Sequence, residues 1–348
     1  MATGFTIDGI DLDALCEPAR GNNHANLGLS GGRFIGSEGD LNTRYASYPD
    51  GYGYARYAWP VGSDPCPFKV DGTEVLPPSA LGHRPSFAKI IDLTTPGTWR
   101  LWRTQEAVML QSPSGTQSSF PAAEFGLSST PAILCFEMVA GGGGGGGGNG
   151  SRAAGGGGGG AFIAGWLDIP LAGSYTDGLV LVVGGAGAGG SGGNGSSGYG
   201  SDGGPSYLRD KTGAEFCRAY GGTSGSNVDS DDNGDGGGTS VSDGRSFVAV
   251  NGGRGGDDGS VDGSSVSISY SYRPEDSVSY HFAGGSSPAS PGGGGAGGAG
   301  VGGSGGGSGG AGQAPSSGYG GAGGGGNYKW FDGKPGGNGA GGRIRLFY

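Results

Sequence analysis

Unbroken glycine is the feature that most restricts what this chain can fold into. Gly141 to Gly148 is one run, Gly155 to Gly160 is another, and residues 292–326 are almost wholly Gly, Ala and Ser. Glycine has no Cβ, so glycine segments can approach one another more closely than any others, and they lose the most conformational freedom on folding. Such a chain is either a flexible linker or a solid held by peptide groups packed directly on peptide groups. A linker would lack strand-forming inserts. Here the glycine blocks alternate with Ile133 to Phe136, Phe162-Ile163, Leu179 to Val183, Phe247 to Val250, Val266 to Tyr272 and Arg343 to Tyr348. These inserts are rich in β-branched and aromatic residues and read as strands.

Three ordered glycine states can be weighed. Collagen needs glycine at every third position with abundant proline, and the runs break that period. Polyglycine II stays open. It is an extended left-handed helix with three residues per turn and no internal hydrogen bonds, so its N–H and C=O groups must pair with neighbouring helices. An ice-binding array of such helices would require a regular Gly-X-X period and a flat face, and the sequence displays neither. The expected fold class is therefore mainly β with little helix: a small N-terminal docking segment, a β module, then a glycine-rich β domain with polyglycine II-like segments.

Charge and cysteine usage narrow the functional classes. The formal net charge of -10 opposes a nucleic-acid partner, since phosphate binding rests on Lys and Arg. Arg254-Gly255-Gly256 is a single RGG element, and no RRM aromatic signature accompanies it. Cys16, Cys66, Cys135 and Cys217 lie far apart with no CxxC or Cys/His cluster, so no metal site or cofactor is expected and the cysteines read as buried thiols. The N-terminus has no signal-peptide pattern, and no apolar run approaches about 18 residues. Synthesis in a cytoplasm without membrane insertion is the expectation.

Composition divides the chain at about residues 60 and 132. Residues 1–60 hold two similar pieces, Gly9 to Leu15 and Gly39 to Tyr45, each with an Asp-Leu pair opening a short possible helix that Asp11 or Asp40 would cap. They read as a duplicated docking element, with Asp11, Leu12, Asp40, Leu41 and Tyr45 as docking residues. Residues 61–132 are proline-rich and read as a small β module with long loops, its strands at Ile90-Ile91, Trp99 to Trp102 and Ala107 to Leu110, confined by proline to edges and starts. Residues 133–348 form the glycine-rich region, with both of its ends on strands. Ser-Ser-Gly-Tyr-Gly occurs at 196–200 and again at 316–320, which suggests two equivalent loops.

Little points to catalysis. His24, His83 and His281 lie in unrelated settings, and no nucleophile elbow, Walker motif or HExxH is present. The chain is not expected to be an enzyme. Asp229 to Gly234 matches the first half of an EF-hand loop, but Ser240 stands where the closing Glu belongs, so a solvated acidic loop is the preferred reading. Aromatic residues on rigid loops between glycine tracts suit sugar or protein surfaces. Tyr199, Tyr319, Tyr328 and Trp330 are the candidate receptor contacts, although Trp330 and Phe331 also suit a small local core.

The ordered series Met138-Val139-Ala140 followed by glycine blocks, then Gly165 to Pro170, Leu181 to Gly187 and a closing Gly-Gly-Arg-Ile-Arg-Leu-Phe-Tyr, resembles the glycine-rich domain of bacteriophage tail-fibre and related virion proteins across residues 133–348. The Asp-Leu repeats resemble N-terminal elements of phage tail proteins. The resemblance implies a tail-fibre or baseplate-attached protein found in the virion and extracellular after lysis. It implies other tail or baseplate proteins as partners, a host surface glycan or outer-membrane protein as receptor, and a homotrimer. One branch of that family packs polyglycine II helices in layers and displays recognition loops between them. A purely architectural collar, neck or head-decoration role is the alternative.

Overall fold

The computed structural model describes residues 90–347, except positions 105, 122–131, 150, 170–171, 173, 194–197, 227–233, 242–245, 258–260, 274–275, 288–292, 296, 298 and 330–331, and before residue 90 the backbone of short paired strands between Thr6 and Glu74. The chain is mainly β, with a single short 3-10 turn at Tyr175–Asp177 among the described residues. The strands expected from the apolar inserts form, and they assemble into two antiparallel sheets and a hairpin.

Sheet A contains β1 (Ile90–Leu93), β5 (Ala132–Val139), β6 (Phe162–Ile169), β11 (Ser246–Val250) and β14 (Arg343–Phe347), in the spatial order β1-β14-β5-β6-β11. Sheet B contains β2 (Gly97–Arg103), β3 (Ala107–Gln111), β4 (Gln117–Pro121), β7 (Leu179–Val183), β8 (Ser206–Arg209), β9 (Glu215–Ala219) and β10 (Thr239–Val241), in the order β4-β3-β2-β7-β8-β9-β10. Pro121 ends an edge strand, where its missing N–H leaves no ladder bond unmade. The hairpin pairs β12 (Val266–Arg273) with β13 (Asp276–Phe282).

Strands from both sides of residue 132 share these sheets. β1 pairs with β14, Ile91 opposite Leu346, and β2 pairs with β7, Trp99 opposite Leu181. The segment 90–121 therefore contributes to the same core as the glycine-rich region. Alternation decides which face each side chain joins. On β5, Leu134, Phe136 and Met138 enter the core between sheets A and B, with Leu101, Val108, Leu181, Leu208, Ile344 and Leu346. Cys135 and Val139 face the other way, into a second core with Phe162, Val266, Ile268 and Tyr270 of the hairpin. Sheet A is thus covered on both faces, which explains why β5 reads as a near-continuous apolar run.

Beyond the sheets the strands run on as rods. The out-and-back pairs are 141–149 with 152–160, 184–193 with 198–204, 220–226 with 234–238, 251–257 with 261–265, 283–287 with 293–295, 301–307 with 310–315, and 320–327 with 334–342. Their hydrogen bonds repeat every third residue. Gly141, Gly144 and Gly147 donate to Gly204, Ser201 and Gly198; Gly142, Gly145 and Gly148 to Ala340, Gly337 and Lys334; Gly143, Gly146 and Asn149 to Gly158, Gly155 and Arg152. A threefold repeat aimed at separate neighbours is the polyglycine II arrangement. The same rod accepts from Gly187, Gly190 and Gly193, from Gly222 and Gly225, and from Gly323 and Gly326. It donates to three antiparallel rods and accepts from three parallel ones, which is hexagonal packing.

Four rods are enclosed in this way: 141–149, 152–160, 293–295 and 320–327. The rest form a ring around them. Glycine purity follows the position. From 141 to 148 an added Cβ would lie closer than 3.0 Å to a neighbouring carbonyl at every residue, advancing along Gly185, Ala188 and Ser191, along Gly321, Gly324 and Asn327, and along Thr223 and Ser226. The ring rods carry Tyr, Ser, Asp, Thr, Arg, Gln and Lys on their outward sides.

Each sheet passes into one layer of rods with its order kept. β7, β8, β9 and β10 continue as 184–193, 198–204, 220–226 and 234–238, while β14, β5, β6 and β11 continue as 334–342, 141–149, 152–160 and 251–257. Sheets that pack through side chains lie about 10 Å apart, whereas hydrogen-bonded backbones lie about 4.8 Å apart. The layers therefore converge where the side chains stop. Ser206 sits at that junction, fully buried, its Oγ donating to the Val139 carbonyl at 2.8 Å and accepting the Gly184 N–H at 3.0 Å.

Candidate functional site

Because every pair of rods runs out and back, the described residues at the ends of the turns between them gather at the end opposite the sheets. These turns are 149–152, 193–198, 226–234, 257–261, 287–293, 307–310 and 327–334. Direct bonds tie several together. Gly193 donates to the Gly148 carbonyl, Gly148 to Lys334, Lys334 to Asn327, and Asn327 to Gly310. Gly293 donates to Val261, and the Ser287 N–H to Asp262 Oδ1 at 2.6 Å.

The turn at the end of the central rod is short and held by a side chain. Asn149 Oδ1 accepts the N–H groups of Ser151 at 2.9 Å and Arg152 at 2.8 Å, a side chain standing in for a backbone acceptor. Ser151 and Arg152 are exposed. Other connections are longer in sequence, and the seven residues linking Ser226 to Gly234 include Asp229, Asp231 and Asp232. That acidic loop lies outside the described residues. Among the described residues no group of His, Cys, Asp and Glu is arranged to hold a metal ion.

The expected receptor residues do not form one patch. Tyr199 is 60% exposed near the turn end of 198–204, and Tyr328 is exposed within the 327–334 turn. Trp330, in the same turn, lies outside the described residues. Tyr319 is at the opposite end, beside the sheets. It packs against the hairpin core, and the Arg343 guanidinium lies 4.6 Å from its ring centre. Positive φ at Gly318 (82°) and Gly320 (74°) turns the chain on either side of it. Tyr199 and Tyr319 are thus separated by roughly the length of a rod, about 25 Å at 3.1 Å per residue. Asp11 and Asp40 each fall on the second strand of a short hairpin, Ile10–Asp11 against Thr6–Ile7 and Gly39–Asp40 against Gly32–Gly36. Leu12, Leu41 and Tyr45 lie outside the described residues.

The sequence reading passed over a buried polar cluster between sheet A and the hairpin. Glu137 points into the second core. It accepts from the hydroxyls of Tyr270 and, at 3.0 Å, Tyr280, and from Arg345 Nη1 at 3.1 Å. Burial, with the Glu137 carboxylate beside it, pushes the Tyr280 hydroxyl above its ordinary value. The single Glu in the apolar run 133–139 was the available signal: a charge within a two-faced buried strand needs partners from another layer. Its hydrogen bonds join sheet A to the hairpin, so the cluster clamps one onto the other.

Antiparallel sheets that continue into a hexagonal bundle of paired, out-and-back polyglycine II rods define a glycine-lattice protein. The chain belongs to the glycine-rich domain family, whose family model matches residues 128–348. No curated protein matches the chain.

Proposed function

We propose that this chain is a virion appendage protein, a phage tail fibre or baseplate-attached component that contributes to host-surface recognition, with the gathered turns facing the host. The observation that carries this reading is the separation of duties along the rods. The lattice tolerates almost no side chain, while the described residues at the turn end carry Arg152, Asp257, Asp262, Tyr328 and Lys334 on a rigid support. Rigid scaffolds that present variable loops are the usual design of recognition surfaces. In this reading residues 1–60 dock the protein to other tail or baseplate proteins, the assembly is a homotrimer, and many weak contacts multiply through copy number. The receptor is a surface glycan or an outer-membrane protein.

The test is competition. Saturating purified chain should block adsorption of the parent virions to host cells. A variant whose 226–234 and 327–334 turns are shortened to Gly-Ser links should fold and fail to compete. Undiminished adsorption in the presence of the intact chain would place the protein in a purely architectural role.

A further inference from the structure

The outward face of sheet B gathers cations and rings in a chain that is otherwise acidic. Alternation puts Leu179, Leu181 and Val183 into the core, so Val180 and Val182 point outward, together with Arg100, Arg209, Tyr207 and Arg218 on the neighbouring strands. Register fixes their spacing. Arg100 and Arg209 both lie directly opposite Val180, one on each side. Two strand spacings separate their backbones by roughly 10 Å. Val180 itself is only 3% exposed.

Aromatic rings hold these guanidinium groups. Arg100 lies 5.8 Å from the ring centre of Tyr175, on the 3-10 turn that crosses this face. Arg209 lies 5.6 Å from Tyr207, on whose ring Arg218 also sits at 4.5 Å, and Arg218 lies 5.6 Å from Tyr220. Arg218 is neutralised by Glu215, and Lys211 by Asp177 at 3.2 Å. Among the described residues Arg100 and Arg209 have ring contacts and no ion pair with a carboxylate; Glu215, opposite Arg209 across the ladder, is engaged by Arg218. Tyr175 and Tyr220 are 42% and 45% exposed. In a protein of net charge -10, two fixed, unneutralised guanidinium groups flanked by exposed phenol rings make a surface complementary to an anion carried on a flat, ring-shaped body. Guanidinium binds carboxylate or phosphate through a planar fork, and aromatic rings stack on the apolar faces of sugars.

We propose that the outward face of sheet B, through Arg100 and Arg209 with Tyr175, Tyr207 and Tyr220, binds an anionic saccharide chain, carboxylated or phosphorylated. This site lies on the flank of the base, away from the turns, and does not depend on what the turns bind. The sugar is preferred to an acidic peptide because the rings form part of the same surface as the cations and stand exposed beside them.

The test is isothermal titration calorimetry of the full chain with an oligogalacturonate, a phosphorylated oligomannoside, a neutral dextran oligomer and polyglutamate. Binding of at least one anionic sugar, weakened as salt rises and absent for dextran, is expected. R100Q/R209Q should weaken it about tenfold or more, as expected for two lost charge-assisted contacts, with the thermal unfolding curve unchanged. Shortening the 226–234 and 327–334 turns should leave it intact. The proposal is overturned if neither anionic sugar binds, if R100Q/R209Q binds as the wild type does, or if polyglutamate binds as tightly as the sugars, which would make an acidic protein the occupant.

Discussion

The two ends of this molecule reach the same density by opposite means. In the sheets, Leu134, Phe136, Met138 and Ile344 interlock, and removing any one leaves a void. In the enclosed rods there is almost nothing to remove, and the danger is addition. The sheet end draws on apolar burial, and the rod end on satisfied peptide groups brought within reach by the missing Cβ. One end is broken by making residues smaller, the other by making them larger.

The largest effect expected is from the smallest addition. Gly145→Ala places a methyl closer than 3.0 Å to the Gly324 carbonyl, in backbone that is bonded on all sides and cannot step back. The protein should lose its cooperative thermal transition, because the cost exceeds the roughly 1–3 kcal/mol of overpacking in a core whose side chains can shift. The mirror change, Phe136→Ala in the sheet core, should cost about 3–5 kcal/mol by denaturant titration while the protein stays folded. Glu137→Gln tests the clamp between sheet A and the hairpin. Arg345 and the two tyrosines lose a charged acceptor, and we expect about 1–3 kcal/mol, read from the same titration.

The clamp also gives a pH dependence. The folded state holds the Tyr280 proton more tightly than the unfolded chain does, so its contribution is complete below the ordinary value of 10.0 and is lost as pH rises above it. Melting temperature should fall as pH rises above 10.0, and less steeply in Tyr280→Phe. The smallest effect sharpens the comparison from the other side. A Cβ at Gly238 or Gly307 meets nothing within 4 Å, so alanine there should shift stability by no more than about 0.5 kcal/mol. If Gly238→Ala were as damaging as Gly145→Ala, close packing would not be the reason for the glycine.

How legible all this was depends on the range over which each feature is determined. Strands were legible because Leu179 to Val183 and Arg343 to Phe347 carry their own β-forming residues. Polyglycine II was a readable option because the runs carry no side chain to oppose it. The enclosed rods also had a signal, since 141–148 and 155–160 are pure where 198–204 and 220–226 are interrupted, but that signal becomes specific only beside the hexagonal map. The partners of 90–121 were hidden, because Ile91 meets Leu346 across most of the chain and no local pattern records such a pairing. The repeated Ser-Ser-Gly-Tyr-Gly shows the same limit: one copy places its tyrosine near the turns and the other places Tyr319 beneath an arginine at the sheets, because the rods on either side, and not the pentapeptide, fix the location.

The position of β14 has a kinetic consequence. It is the last of the described strands to be synthesised, and it lies inside sheet A between β1 and β5. Until it arrives, β1 has no neighbour in the sheet and β5 keeps an open edge, so the lattice grows from a base with a missing rung. Closing that gap brings together residues some 250 positions apart, such as Asp92 and Arg343. Such distant closure makes for slow maturation and a long interval in which unpaired edges are available to other copies.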